Sequence, residues 1–206
     1  MYSDIKKTRK SKKAMKKDII LCGVGGQGIL SIATIIGEAA TKAGVKLKQA
    51  EVHGMSQRGG DVQSNLRLST ENIWSDLIPQ GKADLIISME PMEALRYMEF
   101  TNEDTWVITS SNAFVNIPNY PELDKVIAEL DKLPHVQKMA IEDIAKENKM
   151  PRGANMILLG MAAPYLEIIS PEQLREAIKT IFTRKGDAVV ESNIKAFNIG
   201  YEYSNR

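Results

Sequence analysis

The chain of 206 residues is 43% hydrophobic and 26% charged at a formal net charge of +1, an ordinary balance for a soluble globular protein long enough to bury a sizeable core. A single cysteine, Cys22, excludes an internal disulfide, a cysteine-based zinc site and a cubane cluster ligated by this chain alone. No stretch approaches the ~20 apolar residues of a membrane span, so the expected compartment is the cytoplasm, with no membrane role.

The charge is unevenly placed. Residues 1–14 hold six basic side chains against Asp4, which leaves 21 basic and 25 acidic residues for the rest. A basic arm on an acidic body predicts a solvated, disordered tail over 1–15, ahead of a single domain over 16–206. No apolar h-region follows the basic residues, so the arm does not read as a signal peptide. Nucleic-acid binding is not expected, because no basic face with interleaved aromatics continues into the body. Met15 offers a second candidate start beside Met1.

Ile19 to Cys22 is a short apolar run that predicts a buried strand. It stops at Gly23-x-Gly25-x-x-Gly28, and a helical pattern over Ile29–Lys42 follows, with Ile29, Ile32, Ala33, Ile36, Ala39 and Ala40 on one face and Gly44 as the stop. Strand, glycine turn and helix form the setting of a dinucleotide-type fingerprint. Gly23 permits the tight turn, Gly25 allows close backbone approach, and Gly28 allows the helix to pack closely. The N–H groups opening the helix, at the positive end of its dipole, suit an anion.

Val45 to Val52 predicts a second strand, with Glu51 standing 23 residues past Gly28, near the position of a ribose-binding acid in that pattern. His53-Gly-Met-Ser-Gln-Arg58-Gly-Gly60 has neither a helical nor a strand period, so it reads as a loop with special backbone angles. Val62–Leu68, Ala83–Met89, Trp106–Thr109 and Val136–Ile141 predict four further strands. Helices are expected over 90–100 and 122–133, with Pro91 in the first turn of the former. Strands alternating with helices predict an α/β, Rossmann-like three-layer fold with a mainly parallel sheet and a helical C-terminal part. In that part, Ala154–Ile169 is apolar nearly all round and so buried, Ser170 caps a helix to about Arg184, and Asp187 caps a last helix through Tyr201.

With these residues laid out, the chain resembles the gamma-type subunits of the 2-oxoacid:ferredoxin oxidoreductases, and among them the beta subunit of the indolepyruvate branch. Four segments carry the resemblance: Gly23-Val-Gly-Gly-Gln-Gly28; Glu51-Val-His-Gly-Met-Ser-Gln-Arg-Gly-Gly60; Ala83-Asp84 through Glu90-Pro91-x-Glu93-Ala-Leu-Arg-Tyr97; and Glu191-x-Asn193-x-Lys195-Ala-Phe197. The resemblance implies an enzyme that oxidatively decarboxylates a 2-oxoacid to an acyl-CoA and passes the electrons to ferredoxin. It further implies a large partner subunit carrying thiamine diphosphate, magnesium and the iron–sulfur clusters, with this chain as an accessory subunit that is inactive alone and binds no cofactor tightly.

The glycine turn keeps three readings. It can hold a phosphate-bearing group, with coenzyme A the candidate given the reaction; it can be a structural turn; or it can bind a nicotinamide or flavin nucleotide. The residues expected at any ligand are Gly23, Gly25, Gly26, Gln27 and Gly28 through their backbone, with Arg58 as the charge, whose planar fork suits phosphate or carboxylate. No catalytic residue and no metal ligand is assigned. A free-standing Rossmann-type nucleotide-binding protein remains the alternative function.

Overall fold

A computed structural model describes residues 14–53 and 59–205. Of the expected tail only Ala14 and Met15 fall among them, and so the expectation for the tail lies outside the described residues. β1 (Lys16–Val24) is central, and Ile19, Ile20, Leu21 and Cys22 are fully enclosed. β2 (Lys46–His53), β3 (Asp61–Ser69), β4 (Leu85–Ser88), β5 (Trp106–Ser110) and β6 (Val136–Met139) complete a six-stranded sheet in the order β2-β3-β1-β4-β5-β6. The β1, β4, β5 and β6 ladders are parallel, whereas β3 runs antiparallel to both of its neighbours. The sheet is therefore mainly parallel, as expected.

The side-chain alternation of β1 divides the protein into layers. Ile19 and Leu21, with Leu66, Leu68, Leu85 and Ile87, face α1 (Ile29–Lys42), α5 (Ala154–Leu166), α6 (Pro171–Phe182) and α7 (Asp187–Ser204). Ile20, Cys22, Ile86 and Val107 face the opposite way. They pack against Ala94 of α2 (Pro91–Leu95), Leu130 of α3 (Leu123–Leu130) and Tyr97. Helix α5 is buried on every side, as its uniformly apolar sequence requires. It lies between β4 and β5 on one side and α7 on the other. Ser170 caps α6 in a full capping box with Gln173.

Four local features differ from expectation. β3 runs antiparallel within the sheet, because only seven residues separate it from β2 and a parallel pair needs a crossover of a dozen or more. β3 thus separates β2 from β1. The helix expected over 90–100 stops at Leu95 and resumes as a 3-10 turn over Met98–Phe100. The segment after β6 forms α4 (Ile141–Glu147), which is short enough that only Ile141 and Ala145 are buried and its period is faint. Gly186 is the residue that caps α7, with φ +95°, and Asp187 sits in the first turn, where its carboxylate meets the positive end of the helix.

Candidate functional site

The glycine turn leaves the carboxyl end of β1 and feeds α1 directly. Gln27 holds it together. Its backbone N–H donates to Val24 O at 3.1 Å, its side-chain Oε1 accepts from Val24 N at 2.8 Å, and its Nε2 donates to Met89 O at 3.4 Å. A Cβ on Gly23 would stand 3.0 Å from both Gln27 Oε1 and Met89 Cβ, so the turn closes tightly over its own glutamine. Gly28 caps α1 at φ +89°, a left-handed conformation that other residues rarely adopt, and a Cβ there would lie 2.6 Å from Asn155 Nδ2. Asn155 donates to Gly28 O at 3.3 Å, so the close packing that Gly28 permits is against α5. At Gly26 a Cβ would meet nothing within 4 Å. The helix behind the turn has no side-chain cap and no acid in its first turn.

The structure brings part of the second motif to the first. Gly25 N donates to Gly60 O at 2.7 Å, and Gly59 N donates to Gly25 O at 3.3 Å. These bonds continue the β1–β3 register beyond the Val24–Asp61 pair. Both backbone polar groups of Gly25 therefore have protein partners. Residues 54–58, with Arg58, lie outside the described residues. Glu51 is exposed on β2, and β3 stands between it and β1. Two strand spacings, roughly 10 Å, part it from the strand that carries the turn, so the acid position of the dinucleotide pattern is not formed.

Beside the turn stand two buried carboxylates whose environment the sequence does not announce. Glu90 is 0% exposed and Glu93 1%. Glu90 Oε2 caps α2 by accepting from Glu93 N at 2.8 Å, and its Oε1 accepts from the Tyr120 hydroxyl and from Phe114 N at 3.4 Å. Glu93 is bridged by Arg96 through Nε at 2.9 Å and Nη2 at 3.2 Å. Burial pushes the Glu93 carboxyl above its ordinary value, and the Arg96 guanidinium offsets part of that rise. Glu-Pro-x-Glu reads locally as a capped helix start with acids in its first turn, which is why only the tertiary packing reveals the burial.

Cys22 is fully enclosed, donating its thiol to Glu93 O at 3.6 Å, and burial pushes its pKa up to about 12. Such a thiol is neither a nucleophile nor a thiolate ligand. Among the described residues no group of three His, Cys, Asp or Glu side chains could hold a metal ion, and no helix is long and apolar enough to cross a membrane.

Residues 18–203 match the family model for pyruvate ferredoxin/flavodoxin oxidoreductase. The chain is 37% identical over 195 residues to an indolepyruvate oxidoreductase subunit, IorB, of Archaeoglobus fulgidus, covering 91% of this chain and 94% of that one. It resembles the gamma subunit of a keto/oxoacid ferredoxin oxidoreductase from Geobacter sulfurreducens, with a TM-score of 0.66 at 23% identity over 92% of this chain and 98% of the other. It also resembles part of the 2-oxoglutarate:ferredoxin oxidoreductase of Magnetococcus marinus, solved with 2-oxoglutarate, coenzyme A and succinyl-CoA bound. The TM-score there is 0.72 at 22% identity, over 92% of this chain and 31% of that longer one. Two strands of observation thus converge, the glycine turn bridged by the Gly59–Gly60 pair and a family match over nearly the whole chain: the protein belongs to the pyruvate ferredoxin/flavodoxin oxidoreductase family.

Proposed function

We propose that the chain is the small, accessory subunit of a cytoplasmic 2-oxoacid:ferredoxin oxidoreductase of the indolepyruvate type. The observation that carries this reading is the 37% identity with an indolepyruvate oxidoreductase subunit over 94% of that subunit's length. The reaction converts a 2-oxoacid and coenzyme A to an acyl-CoA and CO2, with the two electrons leaving singly to ferredoxin. Thiamine diphosphate, with its magnesium, supplies the carbanion chemistry of decarboxylation, and iron–sulfur clusters carry the electrons. This chain's donor set does not fit either group: it has one thiol, shut inside β1, and no acidic constellation among the described residues. Both groups accordingly belong to a large partner subunit, and no step of the chemistry is assigned to this chain's side chains.

What the chain contributes is a shaped edge. The carboxyl ends of the parallel strands, the opening of α1 with no side-chain cap, and the Gly59–Gly60 bridge share one side of the sheet, where ligands and partners of open α/β sheets are met. Coenzyme A carries phosphates, and a helix opening with no acid in its first turn favours them. Gly23, Gly25, Gly26, Gln27 and Gly28 would line that contact, Gly25 and Gln27 with their N–H groups already bonded within the protein, and Arg58, one residue before the bridge, would supply the charge.

Arg58→Ala tests this reading. It should leave the melting temperature of the chain unchanged, because the change falls between β2 and β3 and alters no residue of the described core. In the reconstituted complex it should raise the Michaelis constant for coenzyme A, or the dissociation constant of the two subunits, by the equivalent of ~1–3 kcal/mol, the scale of a hydrogen bond to a charged group. Wild-type values in both assays would remove Arg58 from the site.

A further inference from the structure

We propose that Glu90 is a positioning residue. Through the strap 111–120 it sets the Gly59–Gly60 bridge against the glycine turn, so the edge offered to coenzyme A or the large subunit depends on a carboxylate that touches neither. The functional half of this statement rests on the reading given above; the structural half does not.

Glu90 is an expensive residue for the work of capping α2. It is fully buried, and among the described residues no lysine or arginine forms an ion pair with it. Desolvating a carboxylate that has no cation costs more than an N-cap returns. A serine or asparagine would cap the same helix at far lower cost. The difference lies in the second oxygen. Oε1 accepts from the Tyr120 hydroxyl and from Phe114 N, which fastens the strap at two points.

The strap has no regular secondary structure of its own. It leaves β5 at Ser111, whose N–H donates to Met139 O at 2.8 Å, and it crosses the carboxyl edge of the sheet toward β3. Between the two Glu90 contacts lies Asn116. Its Nδ2 donates to Gly59 O at 2.8 Å, and Gly59 N donates in turn to Gly25 O. A continuous series of hydrogen bonds therefore runs from the end of β4 through the strap to the turn at the end of β1. Glu90 holds the strap on both sides of Asn116, through Phe114 N and the Tyr120 hydroxyl, while Asn112 bonds to Glu142 and Asp143 nearer β5. Phe114 and Val115, 43% and 70% exposed, occupy the crest of the same strap, so burial of these two apolar side chains does little to hold it.

Three variants of the full-length chain separate the possibilities: Tyr120→Phe, which removes one hydroxyl from Glu90; Asn116→Ala; and Asn116→Asp, which keeps the shape and loses the donor. Amide hydrogen exchange at Gly25 and Gly59 should rise about tenfold in all three, the effect of one lost hydrogen bond, while amides of β4 and α5 keep wild-type exchange. In the reconstituted complex the Michaelis constant for coenzyme A, or the subunit dissociation constant, should rise about fivefold to tenfold with kcat little changed, for the same reason. Wild-type exchange at Gly25 and Gly59 would overturn the positioning role whatever the kinetics. Raised exchange with wild-type kinetics and affinity would leave Glu90 as the anchor of the bridge and would instead overturn the reading that this edge meets coenzyme A or the partner.

Discussion

Replacing Gly160 or Gly200 by alanine should unfold the protein more readily than any other single methyl added to it. The two glycines face each other's helix across the α5–α7 contact. A Cβ on Gly160 would lie 1.9 Å from Phe197 O, and one on Gly200 would lie 1.8 Å from Ile157 O. Both obstacles are backbone atoms, so no rotamer change relieves them. The helices would have to part by more than an ångström along an interface that includes the fully buried Phe197 and Ile157. Overpacking a core costs ~1–3 kcal/mol when side chains can adjust. Here the loss should reach about 3 kcal/mol or more, equivalent to roughly 6–12 °C in melting temperature for a chain of this size. Gly37→Ala is the matched control. Its added Cβ meets only the end of the Leu47 side chain, at 3.3 Å, and the helix propensity gained offsets that contact. Its melting temperature should stay within a few degrees of wild type, and equal stability of all three variants would contradict the close α5–α7 packing.

Asp18→Ala should cost nearly as much, for an electrostatic reason. The Asp18 side chain is 0% exposed and Arg67 is 15% exposed. Arg67 Nε donates to Asp18 Oδ1 at 2.8 Å and Nη2 to Oδ2 at 3.0 Å, while its Nη1 donates to Ser75 O at 3.1 Å and Leu77 O at 3.0 Å. The arginine thereby ties the loop after β3 to the start of β1. Removing the carboxylate leaves a largely enclosed guanidinium without its counter-charge, a change that costs ~3–5 kcal/mol in buried pairs. Because Arg67 keeps some contact with water, about 3 kcal/mol is expected. By contrast, Glu122→Ala breaks a pair with Lys125 whose side chains are 75% and 74% exposed, and should change stability by less than ~1 kcal/mol. Chemical denaturation of the three proteins measures this. An Asp18→Ala midpoint equal to that of Glu122→Ala would mean that the buried pair contributes nothing beyond a surface one.

The elements easiest to read from the residues are those with strong local causes. β1, its glycine turn and α1 announce themselves by an apolar run, three glycines and a 3.6-residue period. Helix α5 announces its burial by having no polar face, and α6 by Ser170, Pro171 and Gln173 at its start. The reversal of β3 was less legible, although a connection of so few residues between β2 and β3 leaves no room for a crossover helix. Alternation of strand and helix elsewhere masked it.

The site was legible in its parts but not in its assembly. Gly59 and Gly60 were visible as a loop with special backbone angles. Their pairing with Gly25 depends on β3 lying beside β1, which no local pattern encodes. Asn155 and Asn116 are ordinary polar residues until the fold sets one against Gly28 and the other against Gly59. Glu90 is the clearest case, because a glutamate before a proline reads as an exposed helix start. Its partners Phe114 and Tyr120 stand 24 and 30 residues further along, beyond the reach of any local pattern. Arg58 carries the charge expected at this edge and lies outside the described residues.

The measurement closest to the central claim is ferredoxin reduction by the large subunit, assayed with indolepyruvate and coenzyme A in the presence and absence of this chain, beside the chain alone. The proposed division of labour predicts no turnover by the chain alone, little by the large subunit alone, and full turnover when the two are combined. Turnover by the isolated chain, or a large subunit equally active without it, would contradict an accessory role.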